Sequence, residues 1–367
     1  MIRIAFDSQS VHGNKTGIGV YTDSIVNSLK ANMPNDIQVD FYPNTPSARY
    51  SGSMKTPRRL EWEVSVFPKL SRGYEIAHIP GFAMGWHNAR SILTVHDLIG
   101  IVFPNQTTIA GQFYWGRWLP WAVQRADHII AISEHTSYDI QRLLKISPKK
   151  ISVIYPSGHE AYSNLIDDDD DVFSSLKKRL GIRDSFILSV GTLEPRKNLR
   201  RVIEAHSLLR ARNSKYQAQL LVVGSHEFAK GKFFSSLSGS HKKPQNDLIF
   251  TGFLTPAELQ SLYHHALALI YPSLYEGFGL PLLEAMGAGC PVITSRMSAL
   301  PEVGGDAAIY VNAEKVESIA GAIQILYSDP AKRAELIEAG KLRITLFSWK
   351  KSALQIFDVY RKVAHGS

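Results

Sequence analysis

Two carboxylates, Glu276 and Glu284, stand eight positions apart in the stretch YEGFGLPLLEAMGAG, which begins at position 275. Carboxylates accept hydrogen bonds from hydroxyl groups, and the glycines between the two acids let a ligand approach the backbone closely. The preceding run LALIYPS predicts a strand, and Pro281 suits the first position of a helix whose free N–H groups would attract an anion. We therefore expect Glu276 to bind the hydroxyls of a sugar and Glu284 those of a ribose. A surface glutamate near a helix start would explain Glu284 alone.

A second charged motif, SVGTLEPRKNLRRVIEA, follows the apolar run FILSVG and carries Arg196 and Lys197. An arginine fork beside a lysine point charge suits a diphosphate. The alternative is a solvated basic start of the following helix. That alternative is disfavoured because positive charge at a helix N-terminus opposes the helix dipole.

The amino-terminal half carries weaker signals, also placed after predicted strands. Gly17 and Gly19 form a G-x-G pattern, and Asp40 ends the second apolar run, where a dinucleotide fold would bind a ribose. An NAD-dependent oxidoreductase is thus an alternative, disfavoured by the long loop before the glycines and by the missing third glycine. His96 and Asp97 follow the apolar run SILTV. His96 would either contact a substrate hydroxyl or phosphate or be a buried, structural histidine. Asp97 would begin the next turn.

Three tryptophans and a single cysteine are the remaining notable side chains. Trp115, Trp118 and Trp121 are spaced three apart, which favours core packing over a membrane contact or a lipid-like acceptor site. Cys290 precedes an apolar run and is interpreted as a small buried hydrophobe. One cysteine forms no intrachain disulfide, which favours a reducing, cytoplasmic compartment.

Twelve short apolar runs alternate with helical stretches, six in each half of the 367 residues. The pattern predicts an α/β fold with two doubly wound, Rossmann-like domains facing across a cleft. The predicted division is an amino-terminal domain over 1–160, an acidic linker over 161–180, and a carboxyl-terminal domain over 181–347. A helix over 348–367 is expected to pack back on the first domain. The run Asp167–Asp171 favours a solvated segment, with a helix from about 170 to 180 that ends at Gly181.

The composition is that of a globular protein, with 44% hydrophobic and 20% charged residues. The net charge of +8 suits an anionic partner, namely nucleic acid, an acidic membrane surface or a phosphorylated substrate. Nucleic acid is disfavoured because the basic residues are scattered and no aromatics are interleaved with them. No apolar stretch reaches the ~18 residues that a membrane span needs, and the first ten residues lack the apolar core of a signal peptide.

These motifs resemble the family 4 retaining glycosyltransferases of the GT-B fold. The resemblance is strongest in GTLEPRKNL, in FTGFLTPAELQSLYHHALALIYPSLYEGFGLPLLEAMGAGCPVITS and in ALPEVGGDAA. It is weaker in TGIGVYTDSIVNSL, TVHDL and ADHIIAISEHT. Together these segments cover most of the chain.

The resemblance implies a nucleotide-sugar donor and a set of contacts to it. Glu276 would contact the transferred sugar and Glu284 the ribose, while Arg196 and Lys197 would meet the diphosphate. Backbone amides of the turn would assist the two cations. Gly17 would lie near the phosphates and His96 near the sugar. A further segment would lie near the base. The turn residues are Gly277, Phe278, Gly279 and Leu280, and the base segment is Gly252 and Phe253.

The chain departs from the family pattern at two places. Thr192 stands where many members have a basic residue, which would make the diphosphate depend more on Arg196. Members also often show N-G-x-D where this chain has SGHE at 157–160, and no role is carried onto those positions.

The sequence thus predicts a metal-independent, cofactor-free retaining hexosyltransferase at the cytoplasmic face of a membrane. GDP-mannose is the expected donor, since GTLEPRKNL and FPNQTT…LPWAVQRAD resemble bacterial mannosyltransferases of surface polysaccharide assembly. The expected acceptor is a glycan or a lipid-linked saccharide, and peripheral contact with the membrane is left open. The alternatives are a UDP-hexose donor, a nucleotide-sugar 2-epimerase and a non-catalytic sugar-binding module.

Overall fold

The computed structural model describes residues 1–11, 17–43, 56–81, 84–106, 109–158, 160, 162, 169–192, 194–224 and 247–366. They form two compact units, the first from residues 1–156 and 347–367 and the second from residues 157–346. Each unit contains one six-stranded sheet, and every strand is one of the twelve predicted apolar runs. The α/β prediction with two doubly wound domains is confirmed.

The first sheet is entirely parallel and has the order β2-β1-β3-β4-β5-β6. Its strands are Ile2–Asp7 (β1), Ile37–Tyr42 (β2), Ile76–Ile79 (β3), Arg90–Val95 (β4), His128–Ala131 (β5) and Ile151–Val153 (β6). β3 and β5 are buried along their whole length, as expected for a sheet that is covered on both faces. β2 lies on one side of β1, and β3 to β6 follow on the other side, so a topological switch point lies between β1 and β3.

Helical segments cover the first sheet. The α-helices are Gly17–Ala31, Thr56–Glu61, Phe67–Leu70, Ile99–Val102, Ile109–Phe113, Leu119–Arg125, Glu134–Leu144 and, near the end of the chain, Trp349–His365. Two π-helical turns, Trp62–Val66 and Tyr114–Trp118, interrupt them, and 3₁₀ turns occur at Gln9–Val11, Pro104–Gln106 and Pro148–Lys150.

The second sheet is also parallel and has the order β12-β11-β10-β7-β8-β9. Its strands are Phe186–Val190 (β7), Gln219–Val223 (β8), Leu248–Gly252 (β9), Leu269–Tyr271 (β10), Val292–Ser295 (β11) and Ala308–Val311 (β12). Counted within the unit, this is the 3-2-1-4-5-6 order of dinucleotide-binding sheets. The switch point therefore lies between β7 and β10.

The second unit has its own set of helices. They are Asp169–Leu180, Leu199–Arg212, Pro256–His265, Leu280–Gly287, Leu300–Gly304, Val316–Ser328 and Pro330–Ile344, with a 3₁₀ turn at Pro195–Lys197. Pro256–His265 begins with a capping box in which Thr255 and Glu258 satisfy each other's backbone N–H groups.

The predicted acidic linker is in large part a packed helix. Asp169–Leu180 belongs to the second unit, where Phe173 stacks on His265 with ring centroids 3.8 Å apart and Leu176 is fully buried. The apolar face of the helix packs on the unit. Its aspartates lie in the first turn, where their negative charge interacts favourably with the helix dipole. The helix stops at Gly181, as predicted, in a left-handed conformation with φ of 68°. Asp167 and Asp168 lie outside the described residues.

The last helix, Trp349–His365, packs on the first sheet, within the first compact unit. The Tyr360 hydroxyl lies 2.7 Å from Nδ1 of the fully buried His78 on β3, and His78 Nε2 lies 2.9 Å from Thr94 Oγ1 on β4. Burial lowers the pKa of His78 to about 3, so the ring is neutral at ordinary pH. The hydrogen-bond chain fixes the helix against the middle of the sheet.

The cysteine is buried as interpreted, whereas the tryptophan segment lies only partly in the core. Trp115 and Trp121 are half-buried against the core of the first unit, and Trp118 is also half-buried. Cys290 is buried in the second unit, and burial raises the pKa of its thiol to about 12, which keeps it protonated. Among the described residues, no helix combines the length and the apolar composition needed to cross a bilayer.

Tyr360→Phe should destabilise the first unit by about 1–3 kcal/mol, because it leaves His78 Nδ1 buried without its partner. All six tryptophans belong to the first unit, so urea unfolding followed by tryptophan fluorescence measures this unit selectively. Since the pKa of His78 is depressed, its contribution to stability is complete above pH 6.5 and is lost as the pH falls toward 3. Tyr138→Phe is the control, because Tyr138 is 59% exposed. Equal unfolding midpoints for the two variants would contradict the anchoring role.

Candidate functional site

The loops after β7 and β10 meet at the switch point of the second sheet. Parallel strands end on the same edge, and in doubly wound sheets the crevice beside the switch point is where ligands bind. Arg196 and Lys197 follow β7, and Glu276 follows β10. The strand order therefore brings together two motifs that lie 79 positions apart along the chain, as the hydrogen bond from Arg196 to the Tyr275 carbonyl shows.

The loop after β7 is held by backbone contacts and by one buried asparagine. Arg196 and Lys197 lie in the 3₁₀ turn that ends at Asn198, whose backbone is left-handed with φ of 61°. The Asn198 side chain donates to the carbonyl oxygens of Pro272 (3.1 Å) and Ala313 (2.7 Å). The Leu274 N–H donates to the Arg196 carbonyl at 2.7 Å. Asn198 was not predicted as a site residue, although asparagine's tolerance of left-handed backbone is a usable signal.

The turn after β10 is buried and depends on glycine. Gly279 precedes the helix Leu280–Gly287 with φ of 114°, and a Cβ there would lie 2.9 Å from the Leu300 side chain. Pro281 is thus the second residue of this helix, one position later than predicted. Phe278 is buried, so its side chain belongs to the packing of the turn. The Glu276 N–H donates to Ser298 Oγ at 2.8 Å and fixes the start of the turn.

Glu276 forms ion pairs with both predicted phosphate-binding cations. Arg196 Nη1 lies 2.9 Å from Glu276 Oε2, and Lys197 Nζ lies 2.7 Å from Glu276 Oε1. The three side chains are at most 15% exposed. The Tyr271 hydroxyl accepts a further hydrogen bond from Lys197. The carboxylate predicted to bind the sugar and the cations predicted to bind the diphosphate are therefore partners of each other.

The charge of this cluster fixes the state of Glu276. Burial alone would raise the pKa of the carboxyl, but Lys197 and Arg196 outweigh burial and hold the pKa below its usual range. Burial would likewise lower the pKa of Arg196, yet Glu276 and Glu194 raise it. Glu276 is consequently an anion and Arg196 a cation at neutral pH.

Glu194 is a further member of the cluster that the sequence did not single out. Its Oε2 accepts from Arg196 Nε at 2.7 Å, and its Oε1 accepts from Thr192 Oγ1 at 2.6 Å. Arg196 thus bridges two carboxylates. Thr192, where many family members have a cation, serves here to orient Glu194.

Glu284 has a different environment one helical turn into Leu280–Gly287. Its Oε2 accepts from the hydroxyl of the fully buried Tyr263 at 3.0 Å. Burial raises the pKa of Glu284 to about 7, against the opposing effects of Tyr263 and Lys197. The carboxyl is thus a mixture of charged and neutral forms near neutral pH. Tyr263 is a second contact that sequence reasoning missed, because a tyrosine inside a helix carries no local signal of its partner.

Two glycines border the site at other points of the second unit. A Cβ at Gly158 would lie 3.3 Å from the Leu280 carbonyl oxygen and 3.6 Å from Glu284 Cγ, so the chain passes directly over the start of that helix. Gly252 ends β9 with φ of 75°, and the next residue, Phe253, is 84% exposed. β9 is separated from β7 by β8 alone, which places Gly252 and Phe253 on the same edge of the sheet as the cluster.

The other predicted residues lie in the first unit. Gly17 is the first residue of its helix and is exposed, and Gly19 is buried in the same helix. His96 is buried, donates from Nε2 to the Pro80 carbonyl at 2.9 Å, and has a pKa lowered by burial to about 4. This is the buried histidine that the sequence left open. Asp97 accepts from the Ile99 N–H at 3.0 Å and so begins the next turn.

The side-chain chemistry of this site in the second unit suits a diphosphate and two hydroxyl-bearing groups. The two cations can donate charge-assisted hydrogen bonds, and the two carboxylates, in different protonation states, can accept from hydroxyl groups. No side chain of the site has the pairing of a nucleophile with a general base among the residues described.

Sequence families match both units. Residues 173–343 match the family "Glycosyl transferases group 1", and residues 17–157 match "Glycosyltransferase Family 4". The curated relatives include the serotype-specific mannosyltransferase WbdA of Escherichia coli, 30% identical over 84% of this chain and 37% of the relative. The O-antigen chain mannosyltransferase B of Escherichia coli is 27% identical over 83% of this chain and 77% of the relative. The chain spans about a third of the length of the WbdA relatives.

Solved structures share the fold at low sequence identity. Sucrose-phosphate synthase from Thermosynechococcus elongatus matches with a TM-score of 0.75 and 20% identity over the whole of both chains. Anabaena HepE, solved with UDP and glucose, matches with a TM-score of 0.74 and 17% identity over 99% of this chain and 100% of that chain. The two sequence families between them span residues 17–157 and 173–343, and the chain belongs to the family 4 glycosyltransferases of the GT-B fold.

Proposed function

We propose that the chain transfers a hexose from a nucleotide sugar, GDP-mannose in the first instance, to a glycan or lipid-linked saccharide during surface polysaccharide assembly. The observation that carries this proposal is the buried Arg196–Glu276–Lys197 cluster at the switch point of the second sheet. The choice of mannose is supported by the names of the relatives, which include two O-antigen chain mannosyltransferases.

Donor binding exchanges the partners within this cluster. Arg196 and Lys197 carry two positive charges, and Glu194 and Glu276 carry two negative charges, so the unliganded cluster is close to neutral. A diphosphate brings its own negative charge to the two cations and weakens their hold on Glu276. The freed carboxylate oxygens then accept hydrogen bonds from the sugar hydroxyls. The donor thus completes the site by taking over contacts that already exist.

Catalysis in this proposal is electrostatic. The bond between the anomeric carbon and the diphosphate oxygen breaks, and negative charge develops on the leaving diphosphate. Arg196, Lys197 and the amides of Gly277–Leu280 stabilise that charge in a site that largely excludes water. The acceptor hydroxyl oxygen bonds to the same face of the carbon, which retains its configuration, and its proton passes to the departing phosphate oxygen. No protein base is required.

The nucleoside lies along the same edge of the second sheet. Glu284 accepts from the ribose hydroxyls, and the backbone at Gly252 and Phe253 borders the base. Gly17, Gly19 and His96 enter the proposal only through the family resemblance. They lie in the first unit, and His96 would contribute there as a neutral ring.

A UDP-hexose donor is the second candidate, favoured by the structural neighbour solved with UDP and glucose. A thermal-shift screen of GDP- and UDP-sugars separates the two, because a ligand at ~100 times its dissociation constant adds about 2.7 kcal/mol of stability. Incubation of the best donor without acceptor tests the 2-epimerase alternative, which would isomerise the donor. Saturable binding with neither transfer nor isomerisation would indicate a binding module and overturn the proposal.

Glu276→Gln should reduce transfer by about 10²–10³-fold, because a contact that orients the reacting sugar is lost. Its affinity for GDP should stay the same or rise, since Arg196 and Lys197 are released from a competing carboxylate. Transfer is measured with radiolabelled donor and affinity by calorimetry. Glu335→Gln, at an exposed ion pair of the same unit, is the matched control. Weaker GDP binding with unchanged turnover would contradict this assignment.

The raised pKa of Glu284 predicts pH-dependent donor binding. A charged carboxylate accepts more hydrogen bonds than a neutral one, so affinity should increase as the pH rises through about 7. GDP-mannose is the ligand to use, because its diphosphate, unlike that of GDP, has no terminal group that titrates in this range. Glu284→Gln should bind more weakly and lose the pH dependence. In the unliganded wild type, the same carboxyl contributes stability below pH 4.5 that is lost as the pH rises through about 7. A wild-type profile that is flat, or that Glu284→Gln reproduces, would exclude this role.

Arg196→Ala and Lys197→Ala should each reduce transfer by about 10²–10³-fold, since each removes a charge-assisted contact to the developing anion. The control is Arg200→Ala, which removes an exposed cation from the start of the following helix and leaves the cluster intact. Steady-state rates would show whether the loss is confined to the two cluster cations. Similar transfer rates in all three variants would mean that Arg196 and Lys197 are solvated surface charges with no role in transfer.

Transfer should persist in excess EDTA, because the cluster and the helix start supply the positive charge that a metal would otherwise bring. The acidic run 167–171 offers an Asp-x-Asp pattern, yet Asp170 and Asp171 lie in the first turn of Asp169–Leu180 on the second unit. Replacing Asp167–Asp171 with serines should leave the rate within a small factor. Loss of activity on chelation, restored by Mg²⁺ or Mn²⁺, would overturn the metal-free mechanism.

A further inference from the structure

A cavity of about 490 Å³ lies at the amino-terminal edge of the first sheet. Its lining comes from the start of β4 (Arg90), the start of β5 (Asp127 and His128), the 3₁₀ turn Pro148–Lys150, and the last turn of Trp349–His365. This is the edge opposite the carboxyl ends of the strands, where a doubly wound sheet binds its substrate. The donor chemistry proposed above makes no use of the cavity.

The lining carries an excess of positive charge. Four cationic side chains face one carboxylate, that of Asp127; the cations are Arg90, Lys149, Lys150 and Lys362. Asp127 Oδ2 already accepts from the Ser91 N–H at 2.6 Å and from Ser91 Oγ at 3.0 Å. The carboxylate is thus committed to the strand start and cannot compensate four charges.

Two of the cations are fixed by neutral partners. Arg90 donates to the carbonyl oxygens of Val363 and Ala364 in the last turn of the terminal helix, and Lys150 Nζ donates to the Gln124 carbonyl at 2.6 Å. Backbone carbonyls orient a cation but carry no net charge. Lys149 and Lys362 are exposed. Lys149 lies in the 3₁₀ turn Pro148–Lys150, and Lys362 lies in the last helix, Trp349–His365.

The pKa values of His128 and Lys150 are consistent with this excess of positive charge. Burial lowers the pKa of His128 to about 4, and Lys362 and Lys150 lower it further through their charge. Burial also lowers the pKa of Lys150, against the opposing effect of Asp127. The mutual repulsion of the cations costs stability that an anion in the cavity would restore.

We propose that this cavity binds a phosphate group, carried by a small phosphorylated molecule or by a lipid headgroup. Its volume lies in the range of small-molecule sites and exceeds that of a bare ion. Cations on three separate elements converge on it, which gives a prearranged set of donors for the oxygens of one phosphate. The net charge of +8 is in keeping with an anionic ligand outside the donor cluster, where Arg196 and Lys197 are already paired with carboxylates.

The test follows the ring resonances of His128 by NMR while inorganic phosphate replaces chloride at constant ionic strength. His128→Gln provides the assignment. A saturable shift with a dissociation constant below about 10 mM is expected. The ring reports the cavity alone, so phosphate bound at Arg196 and Lys197 does not interfere. Lys149→Ala/Lys362→Ala should weaken binding about tenfold by removing two of the four charges. Lys178→Ala/Lys215→Ala, which removes two lysines from the second unit, should not change it.

A second arm identifies the source of the phosphate. The chain is sedimented with vesicles of phosphatidic acid in phosphatidylcholine, and with phosphatidylcholine alone. Binding to the acidic vesicles that inorganic phosphate displaces and that Lys149→Ala/Lys362→Ala weakens would indicate a lipid headgroup. A His128 shift without vesicle binding would indicate a free phosphorylated ligand. A His128 signal without a saturable response, or an equal response in both lysine pairs, would overturn the proposal.

Discussion

The ion cluster of Arg196, Glu276 and Lys197 is the contact on which the second unit's site depends. Isolated charges are costly to bury, so each member is retained at low exposure only because the others are present. The cluster also joins the loops after β7 and β10, and its geometry is therefore as fixed as the sheet itself. In the proposed function, the two cations are in place before a ligand binds, and binding changes their partner from Glu276 to the diphosphate.

Asn198 and Gly279 shape the two loops that carry this cluster. Asn198 and Gly279 both have left-handed backbone, one just after the two cations and the other at the end of the turn after Glu276. Asn198 offsets its strained backbone with two buried hydrogen bonds, and Gly279 avoids the strain by lacking a side chain. The two loops therefore approach each other in conformations that most residues would not adopt.

The sequence predicted the fold and the charged members of the site more completely than their mutual contacts. All twelve strands follow from apolar runs, since a parallel sheet covered on both faces makes those runs continuous. Arg196, Lys197, Glu276 and Glu284 stand out because charge after a buried strand is costly without a role. Glu194, Tyr263 and Asn198 were missed, because their roles lie in pairings across the fold that no local spacing encodes. The helix near 170–180 was expected from the sequence, whereas its packing on the second unit through Phe173 and Leu176 was not, since the five aspartates favour a solvated segment.

Net charge proved a poor guide to where the cations act. The +8 balance suggests an anionic ligand, and the proposed diphosphate site is the obvious place for it. There, however, Glu194 and Glu276 match the two cations charge for charge. Among the described residues, a second group of cations lies in the first unit, near the amino-terminal ends of β4 and β5, where Arg90 and Lys150 are held by carbonyl oxygens. A site that must release its product benefits from internal counter-charges that return when the ligand leaves. A pocket without such counter-charges attracts anions while it is empty, and this electrostatic difference distinguishes the proposed phosphate pocket from the proposed donor site.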